Sequence, residues 1–206
     1  MNGKLRITFT SLLIAFTLFI TTRPQVALAN HCPANGALPG NQVNMTTFAT
    51  NVLNLMGIPV SQFALEAFAV WEPYENTDAC WNPLATTYHV AWMPPGTGCT
   101  ETIFNGAGVR NYYPSQYCGE LATARTLLHT TACGHDCYKP VRDMLSQQSF
   151  NWQTVHDSIK IWVGSEAYAT ALTNQWQTLW NSRGGSCPTV SGQVILYDLT
   201  NCGGVV

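Results

Sequence analysis

From Thr46 onward apolar residues recur at helical spacing: Phe48, Val52, Leu55 and Met56 share a face, and Gly57 and Pro59 end the pattern. Ser61 is the expected N-cap of a second helix, with Ala64, Phe68 and Trp71 on one face and Ala67, Val70 and Tyr74 on the next. So broad an apolar stripe predicts a helix largely surrounded by protein, ending near Pro73, where the ring removes a donor and strains the preceding turn. Between Thr86 and Tyr113 the chain turns to Thr, Tyr, Val and Trp, interrupted by PPGTG at Pro94 and NGAG at Asn105, which predicts two or three short antiparallel strands. The helical period then returns. Tyr117, Leu121, Ala124 and Leu128 follow Ser115 as N-cap. Val141, Met144 and Leu145 mark a short helix, Trp152, Val155, Ile159 and Trp162 another, and Tyr168, Leu172, Trp176 and Leu179 a longer one beginning after Ser165.

The flanks differ in kind. Residues 1–29 open with Lys4 and Arg6, continue with an apolar run from Leu12 to Ile20 and finish in the small residues Ala27 and Ala29, the pattern of a secretory signal peptide cut after Ala29. The run is too short to span a bilayer, and the approach to Cys32 lacks the small residues that lipidation needs. Residues 30–45 have no apolar period and are expected to form an N-terminal arm tied down by Cys32. Residues 46–182 then form one domain without internal repeat or long linker, and residues 183–206 are a Gly-rich tail clipped back by Cys187 and Cys202.

All eight cysteines lie beyond the signal segment. An even count in an exported chain predicts disulfides, for which there are about 105 complete pairings. The CGHDC run at Cys133–Cys137, with His129 upstream, offers zinc-ligand types, but in an oxidising compartment close cysteines are better read as disulfides. Removing Lys4, Arg6 and Arg23 leaves six basic residues against eleven acidic ones, a net charge of −5. Such a chain has no basic stripe to neutralise phosphates, which argues against nucleic-acid binding, and it has little attraction to an anionic surface.

Chemistry concentrates in WEPYENTDACWNPLATT, Trp71–Thr87, where two glutamates end a buried helix beside Trp71, Tyr74 and Trp81. Cleavage of a glycosidic bond needs a carboxylic acid that keeps its proton near neutral pH, and apolar surroundings favour that form. The competing reading is a pair of solvated surface glutamates. A second carboxylate is not evident; Asp78 and Glu101 are nearest in sequence. Ser115 and Ser182 lack a nucleophile elbow, and His31, His89, His129, His135 and His156 show no triad order.

The succession AVWEPYE, NPLATT, FNGAGVRNYYPS and ATARTLL resembles the lysozyme-like domains of phage endolysins and bacterial cell-wall glycosidases, and VRNYYPS is similar to a segment of their β-N-acetylglucosaminidase branch. The resemblance covers about Ser61 to Trp180. It implies an α+β, mostly helical, disulfide-bonded lysozyme-like domain with a small antiparallel β-hairpin region. It also implies a secreted monomeric hydrolase of peptidoglycan or a related N-acetylated glycan, of muramidase, N-acetylglucosaminidase or lytic transglycosylase type, needing no metal or cofactor and no membrane once the signal is cut. Position by position, the acid falls on Glu75, and Tyr112 matches the tyrosine that faces it. Asn82, with Pro83 and Leu84, falls on the turn into the first strand, which places Thr86 and Thr87 along the floor of the substrate cleft; Trp81 and Tyr88 fall beside it, Asn105 and Arg110 are weaker assignments that equally suit organising the hairpin, and Trp92, Tyr112, Tyr113 and Trp152 are further aromatics able to stack on sugar. Pro73 and Asn76 depart from the family pattern and make Glu72 the alternative acid. The rival reading from another class is a non-catalytic extracellular module that binds glycan or protein on the same scaffold.

Overall fold

Each of the longer helices opens on a side chain that accepts from its own first turn, the cheapest way to serve donors a helix start leaves unpaired. The structure, a computed structural model, describes residue 32 and residues 37–88, 93, 95–100, 102–105, 109–129 and 135–183, and every structural statement below concerns these. The signal segment, Trp92 and the Cys187–Cys202 pairing lie outside them.

Asn44 caps α1 (Met45–Met56), Ser61 caps α2 (Gln62–Glu75), and Ser115 caps α3 (Gln116–Leu128). The short α4 (Lys139–Leu145) has no side-chain cap, while Asn151 and Ser165 cap α5 (Trp152–Val163) and α6 (Glu166–Ser182). Gly57 closes α1 in the left-handed region at φ 70°, where a side chain would be strained. Between α2 and α3 the backbone forms a two-stranded antiparallel ladder, β1 (Thr102–Asn105) against β2 (Val109–Tyr112), with Thr102 opposite Tyr112.

One boundary corrects the sequence expectation. Helix α2 does not end near Pro73 but runs on to Glu75, with Asn76 as a left-handed C-cap whose N–H donates to the Glu72 carbonyl at 2.8 Å. Pro73 and Ala69, the residue four positions back, are both exposed, so the bond the proline forfeits lies on the wet face of the helix. The opposite face carries Trp71, fully buried, and its packing holds the last turn helical.

Trp71 is the centre of the main core. Its ring meets Trp162 of α5 at 4.9 Å and Trp176 of α6 at 5.3 Å, both edge to face. Trp176 in turn donates Nε1–H to the Ala67 carbonyl at 2.9 Å, so the α2–α6 seam is fixed by a directed bond as well as by apolar burial. Helix α1 packs on α2 and α3, and α6 on α2 and α5. A smaller cluster of Tyr88, Met93, Tyr113, Leu121 and Ala122 lies beside α3, and Trp81 packs against both clusters.

The disulfides tie the irregular parts to this frame. Cys32 bonds Cys80, anchoring the N-terminal arm, and the Pro39–Cys80 bridge adds a backbone pairing beside it. Cys99 bonds Cys118 in the first turn of α3. Cys137 is disulfide-bonded too, so the CGHDC run does not present its thiolate to a metal. No helix among the described residues is long and apolar enough to cross a membrane.

Candidate functional site

Residues four apart on a helix stand one above the other, so α2 presents Trp71 and Glu75 on one face. Trp71 Nε1–H reaches Glu75 Oε1 at 3.3 Å and the Tyr168 hydroxyl at 3.1 Å, while Tyr168 Oη donates to Glu75 Oε1 at 2.6 Å. The three side chains close a triangle between α2 and α6. Burial, reinforced by the Glu75 charge, pushes the Tyr168 phenol far above its ordinary range, so it remains a hydrogen-bond donor at any physiological pH. Tyr74 packs edge to face on Tyr168 at 5.5 Å, which gives the carboxylate an aromatic flank in addition to the tryptophan cluster beneath it. Glu72, the alternative acid, is half-buried on the same last turn, and burial holds its carboxyl above the ordinary value.

The NPLATT segment forms a turn, with the polar groups of Asn82 and Thr86 facing inward. Asn82 is fully buried, with Oδ1 accepting from Thr86 N at 2.9 Å and Nδ2 donating to Thr86 O at 3.0 Å. The carboxamide therefore stands in for a paired strand and closes the turn, with Ala85 in the left-handed region at φ 50°. Thr86 is buried as well, and its hydroxyl shares a short hydrogen bond with Thr126 of α3. These two residues hold the turn against α3; their polar atoms are spent internally and do not line a cleft. Thr87 is exposed.

The remaining assignments scatter. Trp81, half-buried and at φ 54°, presses its carbonyl against α3 so closely that a Cβ on Gly119 would sit 1.7 Å from that oxygen. Tyr88 is buried, its ring edge to face with His129 and its carbonyl accepting from Tyr113 Oη at 2.8 Å. Tyr112 ends β2, and the next residue, Tyr113, donates its N–H to Cys80 O at 3.1 Å, which fixes the ladder to the segment between α2 and the turn. Asn105 ends β1 opposite Val109.

Two groups were not singled out from sequence. Tyr168 shows there only as an apolar-face residue of α6, 93 positions from its partner. Glu120 lies in α3 at 3% exposure, on the floor of a groove of about 570 Å³ between α1 and α3. Its Oε1 accepts from Asn51 Nδ2 at 2.9 Å and Gln116 Nε2 at 2.7 Å, and burial outweighs both bonds to hold its carboxyl above the ordinary range. The helical spacing of Gln116 and Glu120 was readable; the third partner on another helix was not.

No family model, curated protein or solved structure matches the chain.

Proposed function

We propose that the chain is a secreted glycoside hydrolase of the lysozyme-like kind, acting on the glycan strand of peptidoglycan with Glu75 as general acid. The observation that carries this reading is the Trp71–Tyr168–Glu75 triangle at the end of α2. A general acid must be held at a fixed angle to the leaving oxygen, and it needs surroundings in which its neutral form is not penalised. The triangle answers the first need; the two hydrogen bonds it donates to Oε1 favour the carboxylate, and the aromatic rings packed around it oppose that by excluding water. Tyr168, which stays protonated, keeps its hydrogen bond through both charge states of the glutamate.

The element order agrees with the sequence resemblance: a helix bearing the acid, the NPLATT turn, two short strands, then the ATARTLL helix. In this reading Asn82 and Thr86 act by shaping the turn, and Trp81 and Thr87 remain for sugar contact. Release of soluble fragments from purified peptidoglycan tests it. The wild type should release glycan fragments, Glu75→Gln none, and Glu72→Gln a near-normal amount.

One finding favours the rival reading, a binding module without turnover. A glutamate, a tyrosine and a tryptophan joining two helices is also an ordinary structural tie, and the buried carboxamide and hydroxyl of NPLATT are structural groups. Retained glycan binding with no fragment release would select that reading.

A further inference from the structure

The α1–α3 groove holds a carboxylate that stability alone does not explain. Glu120 is buried, yet among the described residues it meets no cationic side chain, only the carboxamides of Asn51 and Gln116. Burying an acid with two neutral donors on one of its oxygens costs more than burying an apolar residue of the same size. The cost is characteristic of a site that binds something.

The groove's chemistry narrows what that is. Its floor is the Glu120 carboxyl, and its walls add the carboxamides of Asn51, Asn54 and Gln116. Its lips are Leu55 and Tyr117, 37% and 49% exposed, two of the few large apolar side chains facing solvent. Carboxamides that both donate and accept suit neighbouring hydroxyl and amide groups, and an exposed phenol ring beside them suits the apolar face of a pyranose. A bare cation fits poorly, because the two amide donors already converge on one carboxylate oxygen. The volume is that of a small-ligand site.

We propose that this groove is a second glycan-contact site, separate from Glu75, that takes one N-acetylated saccharide unit with Tyr117 stacked on its face and Asn54, Gln116 and Glu120 bonding its polar edge. The choice of N-acetylated sugar rests on the proposed function; the site itself does not.

Titration of a β-1,4-linked N-acetylglucosamine tetramer into Glu75→Gln protein, followed by amide NMR, reads the site locally and without turnover. Saturable shifts are expected at residues 51–55 and 116–120, with affinity about tenfold weaker in Tyr117→Ala and also reduced in Asn54→Ala, both at exposed positions that leave the core intact. Absence of saturable shifts at those residues, or equal affinity in Tyr117→Ala, overturns the proposal. Failure of the wild type to release peptidoglycan fragments would remove the hydrolase reading while leaving the titration result to stand on its own.

Discussion

Tyr168 donates its hydroxyl to Glu75 Oε1 at 2.6 Å, and the same hydroxyl accepts from Trp71 Nε1 at 3.1 Å, so one phenol on α6 orients both side chains at the α2 terminus. Removing that hydroxyl tests what it does. Tyr168→Phe deprives Glu75 of this donor and should cost about 1 to 2 kcal/mol in urea unfolding, the scale of a partly buried side-chain hydrogen bond. In the proposed mechanism it also lowers peptidoglycan fragment release while leaving Glu75 in place, and a variant with full activity would detach Tyr168 from the chemistry.

Asn82 gives a sharper separation between structural and ligand-binding roles. Its carboxamide makes two bonds to the backbone of Thr86 in a fully buried turn. Asn82→Ala leaves both backbone groups without those partners and is expected to destabilise the fold by about 2 to 4 kcal/mol. A variant of unchanged stability but weakened glycan binding would return Asn82 to the cleft.

Glu120 predicts a direction of pH dependence. Its carboxyl is held above the ordinary value of 4.5 by burial, so the folded chain binds that proton more tightly than the unfolded one. The sign follows from linkage: this contribution is fully present below pH 4.5 and is lost as pH rises through the raised folded value. Glu120→Gln retains an acceptor for Asn51 and Gln116 and removes the buried charge. Denaturant melts should therefore show the variant gaining stability relative to wild type from acid to neutral pH. A constant difference across that range would contradict the assignment.

The disulfides should differ in weight. Cys32–Cys80 spans 48 residues and Cys99–Cys118 spans 19. On loop-closure entropy the losses are about 4 and about 3 kcal/mol. Paired alanine replacements followed by thermal unfolding measure both, and a larger loss from the shorter loop would show that packing around Cys118 in the smaller apolar cluster outweighs loop closure.

The helices were legible because their signals are local. Ser61, Ser115 and Ser165 each cap the helix they were expected to begin, with the hydroxyl accepting from the N–H three residues on. The end of α2 was misjudged because proline's cost depends on which face it occupies, and the depth of Trp71 on the other face is a tertiary fact. Glu75 stood out as a carboxylate closing an apolar helix, but its partner Tyr168 lies on α6 and nothing near Glu75 in sequence names it. Asn82 and Thr86 fall at the cleft by resemblance alone, and short polar side chains look alike in sequence whether they bind a ligand or their own turn. Glu120 was passed over for the opposite reason. Set among GELATARTLL it reads as a surface acid, and only the packing of α1 on α3 buries it.

The central claim, that Glu75 is the acid of a glycan-cleaving site, is tested most directly by resolving by mass the fragments released from purified peptidoglycan by the oxidised mature protein, beside Glu75→Gln and Glu72→Gln. The account predicts glycan fragments from the wild type and from Glu72→Gln, and none from a Glu75→Gln protein whose unfolding curve shows it folded. Full release by folded Glu75→Gln, or no release by wild-type protein from several wall types, would contradict it.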